Sequence, residues 1–233
     1  MLADPRVHVI INDGRNYLLA TDTKYDAILS DSIHPVYAGN GSLYTLEYFR
    51  LCRRHLKPGG VVSMWLPLYS LDSDSFLRIL SAFHQVFPHT VIWHDSTTAN
   101  EFTVVTGQVE PGPIRLRWSA LSDPRLQASL RVAGIHGPAD LAMDLLVGPQ
   151  RMPFLIADVP PHIDDLPYVE YTAGRVLGRE QTWLANLGLL VGLRSMAPHF
   201  ADLPVPWAEV EAQRDLRLRD QMRLVRRRAA ASQ

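Results

Sequence analysis

Apolar residues recur in two rhythms along the first hundred positions. Short, mostly apolar runs at residues 7–11, 27–30, 61–66, 90–93 and 102–106 have the length of strands buried within a sheet. Between them, apolar positions repeat every three or four residues. Leu43, Leu46, Phe49, Leu51 and Leu56 mark a helix within 42–57, and Phe76, Leu77, Leu80, Phe83 and Phe87 mark another within 72–87, with Asp72 or Ser73 as its cap. A short helix begins near Tyr17 and closes at Thr21-Asp22, while Asn12-Asp13-Gly14 and Lys57-Pro58-Gly59-Gly60 are stop signals. Strands alternating with helices predict a mostly parallel α/β sheet, and the polar link 94–101 predicts that the last two strands form an antiparallel pair at its edge.

After Gly107 the texture changes. Pro111 and Pro113 are followed by Leu- and Ala-rich helical patterns near 119–132, 138–147 and 179–196. The expected organisation is therefore an α/β part over 1–108 and a mainly helical extension over 109–233. Seven arginines between positions 214 and 228 alternate with Asp215, Asp220, Leu216, Leu218, Met222 and Leu224, the pattern of a solvated helix with one packed stripe.

Bulk properties narrow the function classes. With 233 residues, 47% hydrophobic, and a net charge of -1, the chain can bury a large core and has no global field that draws it to nucleic acid or membrane. One cysteine, Cys52, excludes an internal disulfide and fits a reducing compartment, so the cytoplasm is expected. No apolar run of about 18 residues exists, and the first residues lack the features of a secretory signal, so no membrane contact by this chain is expected. The nine histidines show no paired-ligand spacing, and His89 and His94 lack a nearby third ligand, so no metal is assigned.

Most of the chemistry lies in YDAILSDSIHPVYAGNGSLYTLEYF, residues 25–49. Asp31 ends a strand, where open α/β sheets bind ligands, and a polar loop carries the chain on to a helix. Asp13 is a second acid at a strand tip. Either carboxylate alone also suits a cap or turn.

Asp4-Pro5-Arg6-Val7 through Asp13-Gly14-Arg15, Tyr25-Asp26 through Asp31-Ser32 with Pro35, Gly41 to Phe49, and Leu56 to Gly60 together resemble the spermidine synthase family over about residues 4–106. The acidic segment 163–171 resembles longer members in which the synthase-like domain is fused to a membrane part. The resemblance implies a partial Rossmann-like, class I methyltransferase-type sheet. It also implies aminopropyl transfer from decarboxylated S-adenosylmethionine to an amine such as putrescine. In that scheme Asp13 meets the adenine amino group, Gly14 lets backbone approach the cofactor, and Asp31 lies near the sulfonium and the reacting amine. Tyr37, Tyr69 and Asp165 are candidates for substrate binding.

The family motif places a second aspartate, the general base, where this chain has His34 before Pro35. An imidazole is a competent base near neutral pH but does not attract a dication. A less cationic acceptor than putrescine is one consequence. The family fold also begins with a strand and a Gly-rich turn that this sequence does not show. Another segment, a second copy or a different chain is expected to complete the sheet, and independent catalysis by these residues alone is not expected. Two alternatives stay open: a methyltransferase using S-adenosylmethionine, and a non-catalytic oligomerisation or regulatory module.

Overall fold

The computed structural model describes residues 4–31, 34–98, 100–108, 110, 123–172, 178–194 and 205–231. Helix α1 (Gly14–Ala20) precedes strand β1 (Tyr25–Ser30). A 3-10 turn (Asn40–Tyr44) leads into α2 (Leu46–Arg54), then β2 (Leu56–Pro67), α3 (Ser73–Val86), β3 (Val91–Trp93) and β4 (Phe102–Gln108). The C-terminal part contributes α4 (Pro124–Val132), α5 (Pro138–Met143), β5 (Leu145–Val147), α6 (Met152–Leu155), α7 (Tyr168–Thr172), α8 (Arg179–Gly192) and α9 (Trp207–Ala231).

The five strands make one open sheet in the order β1-β2-β4-β3-β5. β1 pairs in parallel with β2, and β2 and β3 both run antiparallel to β4, so the strands joined through α2 and α3 share one direction. The observed class is thus α/β, a Rossmann-like open sheet with helices. Four expectations change. The sheet is not mostly parallel: β1 and β2 pair in parallel, but the other three pairings are antiparallel, because β4 returns beside β2 and β5 runs against β3. Residues 7–11 form no strand: Val7 closes a turn onto the Asp4 carbonyl, and Val9, Ile10 and Ile11 are exposed, because among the described residues no neighbouring strand pairs with this stretch. The antiparallel pair is real, but β4 wedges between β2 and β3 instead of forming the edge. Residues 145–147, expected to be helical, form the strand that covers β3. Their unbroken Leu-Leu-Val run is too short for periodicity to separate helix from strand. Residues 119–122 and 195–196 of the expected helices lie outside the described residues.

One face of the sheet is sealed. Val62, Met64 and Leu66 of β2 and Val105 of β4 pack in a single core with Phe49 of α2 and Phe76, Ile79, Leu80 and Phe83 of α3. Each of these side chains is almost fully buried, a gain of about 1.5–3 kcal/mol apiece. The fit is close enough to require a glycine: a Cβ on Gly107 would lie 2.6 Å from Cβ of Phe87. Trp183, Leu187 and Leu190 of α8 and Leu218 and Val225 of α9 join the same core.

Among the described residues the other face is open. Alternation along β2 and β4 turns Ser63, Trp65, Phe102 and Val104 to that side, where they are only partly buried, and Leu29 of β1 is 78% exposed. No described helix is long and apolar enough to cross a membrane.

Candidate functional site

β1 stops where its apolar run ends, so Asp31 stands just past the carboxyl end of the strand, exposed. It lines an open groove of about 450 Å³ on the uncovered face, together with Leu29, Ser30, Ser63, Trp65, Phe102 and Val104. The groove is apolar along its floor and acidic at one end, which suits a ligand with a flat ring and a positive charge.

His34 follows at the mouth of the loop and is 7% exposed. Its Nε2 lies 3.0 Å from the Tyr69 carbonyl, and Val36 N–H approaches Nδ1 at 3.4 Å. A carbonyl only accepts, so Nε2 carries the hydrogen and Nδ1 keeps its lone pair behind a long, weak contact. Burial holds the imidazole below its ordinary value; the Tyr69 carbonyl partly opposes this, and Arg179 adds to it. His34 is therefore neutral at pH 7. Tyr69, Tyr37 and Trp65 surround its ring at centroid distances of 5.1, 5.9 and 6.2 Å.

The Tyr69 wall is built from the C-terminal part. Asn186 of α8 donates to the carbonyls of Leu68 and Leu71 at 3.0 and 2.8 Å, and Ser70 N–H donates to Thr182 Oγ1 at 2.8 Å. These bonds hold the loop while Ser70 takes a positive φ of 50°. The Arg179 guanidinium lies 3.9 Å over the Tyr69 ring and pairs in a fork with Glu101.

Asp13 caps α1: its Oδ1 accepts from Asn16 N–H at 2.8 Å, and Gly14 opens the helix with no atom near its would-be Cβ. Tyr48 links this end to the strand tip, since its hydroxyl is hydrogen-bonded by Ser30. Burial raises that phenol first, Cys52 adds to the rise, and the Asp13 carboxylate adds last. The Cys52 thiol, also buried, is pushed up to about 12 and is inert at neutral pH. Asp165 is exposed next to Asp164, which pairs with Arg15.

Asp31, His34, Tyr37 and Tyr69 thus gather around the tips of β1 and β2, with Asp13 and Gly14 one element away and Asp165 on a separate segment. Sequence reasoning missed Arg15, Glu47, Glu101 and Arg179. Arg15 closes the motif Asp13-Gly14-Arg15, and Glu47 lies inside the loop 41–49, so both had a local signal. Nothing local linked Arg179 to Tyr69, because only the docking of α8 brings them together. Among the described residues no group of three or more His, Cys, Asp or Glu has the arrangement to hold a metal ion.

Residues 1–98 match the family model described as Spermine/spermidine synthase domain. The chain is 37% identical over 84 residues to a polyamine aminopropyltransferase of Nitrosomonas europaea, covering 36% of this chain and 26% of that protein. It is 41% identical over 84 residues to one from Serratia proteamaculans, covering 36% and 29%, and 33% identical over 84 residues to one from Korarchaeum cryptofilum, covering 36% and 26%. The chain spans about a quarter of the length of these curated relatives. The matched stretch holds β1, α2, β2 and α3 together with Asp13, Asp31 and His34, and it is this part of the chain that is similar to the spermine/spermidine synthase family.

Proposed function

We propose that residues 1–108 carry one wall of an aminopropyltransferase site, and that residues 109–233 support it from behind. The observation that carries this reading is Asp31, a carboxylate at the tip of a parallel strand, at the end of an open aromatic groove. In the reaction an amine nitrogen forms a C–N bond to the aminopropyl carbon. The C–S bond to the sulfonium breaks, methylthioadenosine leaves, and the amine gives up a proton. Asp31 supplies negative charge to both the sulfonium and the incoming amine. Asp13 and Gly14 take the adenine side of decarboxylated S-adenosylmethionine.

His34 is the candidate proton acceptor, and Nδ1 is the atom that takes the proton, since Nε2 is committed to Tyr69. Its neutral ring offers no charge to the far end of a diamine. Tyr37 and Tyr69 offer the acceptor aromatic edges, and Asp165 offers a carboxylate from the following segment. A completing segment, a second copy or another chain would sit on the face left uncovered and along the edge of β1, which among the described residues pairs with β2 alone. The lone, buried Cys52 fits a reducing compartment such as the cytoplasm.

The test follows methylthioadenosine release by the protein from decarboxylated S-adenosylmethionine across a panel of amines. Amine-dependent release that drops by about 100-fold in Asp31→Asn fits the reading. Release indifferent to Asp31, or no release from any amine alongside no nucleoside binding, contradicts it.

A further inference from the structure

Three elements meet at one guanidinium. Arg15 of α1 donates from Nη1 to the Ser42 carbonyl at 2.7 Å and to Asp164 Oδ1 at 2.9 Å, while its Nη2 pairs with Asp164 Oδ2. The same acidic segment bonds the loop directly. Asp164 N–H donates to Glu47 Oε2 at 3.0 Å, Leu46 N–H donates to the His162 carbonyl at 2.9 Å, and Gly39 N–H donates to Glu170 Oε1 at 3.1 Å. The segment is anchored in turn, since His162 N–H donates to the Arg78 carbonyl of α3 at 3.1 Å. At 21% and 33% side-chain exposure, Arg15 and Asp164 are shielded enough for a forked pair to outweigh an ordinary surface ion pair.

The placement of this cluster matters for the candidate site. Arg15 lies two residues from Asp13, and the loop it grips begins a few residues after His34 and Tyr37. We propose that Arg15 and Asp164 are positioning residues. Through them the segment 162–170 holds residues 39–47 against α1 and so fixes the separation between the adenine-side acid Asp13 and the acceptor-side pair His34 and Tyr37. The functional meaning rests on the aminopropyltransferase reading; the clasp itself rests on geometry alone.

The experiment is backbone hydrogen exchange of the whole chain, read at residues 39–47 and compared with α3 as an internal control of folding. Asp164→Asn speeds exchange at 39–47 by about five-fold, Arg15→Ala, which also loses the bond to the Ser42 carbonyl, by at least as much, and the double variant is no faster than Arg15→Ala, because the Arg15–Asp164 pair is already lost in each single variant. Arg15→Lys, which keeps the charge but not the fork, restores part of the protection and decides the matter if a harsher variant fails to fold.

Acid gives a second readout. Asp164 is faced by Arg15 from α1, by Thr45 at the cap of α2 and by His162 from its own segment; Asp13 and Glu47 in turn face Arg15, and Glu170 faces His162. Its hydrogen bond with Arg15 holds its carboxyl below the usual range, so protection is full above that range and is lost as pH falls through the lowered value. In Asp164→Asn this acid step disappears. Unchanged exchange at 39–47 in both single variants, or additive effects in the double, overturns the clasp. Absence of methylthioadenosine binding by the unaltered protein would instead overturn the reading of the site and leave the clasp standing.

Discussion

The two margins of the sheet are finished in opposite ways. At the β5 margin the chain closes over itself. Arg214 of α9 donates to the Leu145 carbonyl at 2.9 Å, and His94 Nε2 meets Gln221 Oε1 at 2.9 Å. Arg194 forks onto Asp215 at 2.7 and 3.0 Å. At the β1 margin the strand has one partner among the described residues, Leu29 and Val61 are exposed, and the face beside them is a groove ending in Asp31. Under the proposed function, stability and ligand binding divide along this difference: the closed margin carries packing and paired polar groups, and the open one carries an acid, a neutral histidine and aromatic rings.

Substitutions on the two sides should separate accordingly, and the largest effect belongs to the sealed face. Phe83 is fully buried and packs its ring against Phe49 and Phe87 at 5.0 and 5.1 Å. Phe83→Ala should lower unfolding free energy by about 4 kcal/mol in urea titration, whereas Trp65→Ala on the open face should leave stability nearly intact and weaken nucleoside binding. Equal stability losses would break the comparison. Gly107→Ala forces a methyl into Phe87 and should cost about 2 kcal/mol by the same titration.

The closed margin also predicts a pH effect. Burial, then the nearby Asp95, pushes Asp144 up to about 7. The folded state therefore holds a proton that the unfolded state has released, and stability falls as pH rises from the ordinary carboxyl range through 7. Asn mimics the protonated acid, so Asp144→Asn should raise Tm by about 3 °C at pH 8 and leave it unchanged near pH 4. A gain of equal size at both pH values would deny the carboxylate its role. On the open side, His34→Asp removes the N–H donor to Tyr69 and sets a carboxylate among aromatic rings, at a cost of about 1–3 kcal/mol. The same change should increase putrescine turnover; unchanged or lower turnover would show that position 34 does not limit diamine use.

Much of this division was legible in the sequence, for identifiable reasons. The helix at 73–86 was readable because its apolar face repeats cleanly and Asp72 caps it, its Oδ1 accepting Ser75 N–H at 2.9 Å. Asp31 was readable because an apolar run stops at it. The apolar text of residues 7–11 misled, since a strand needs a partner as well as a pattern. The wedge position of β4 was not readable, because a hairpin fixes its own pairing and not the neighbour it takes on its other edge. Arg179 over Tyr69, and Glu170 on Gly39, depend on contacts between residues far apart in the chain, which no local period records.

Ligand binding at the open margin is tested most directly by the amide spectrum of the protein during titration with methylthioadenosine. Saturable shifts are expected at Asp13, Gly14 and Asp31 and at the Trp65 indole, with α9 unmoved. Shifts confined to the β5 margin, or none at saturating nucleoside, would contradict it.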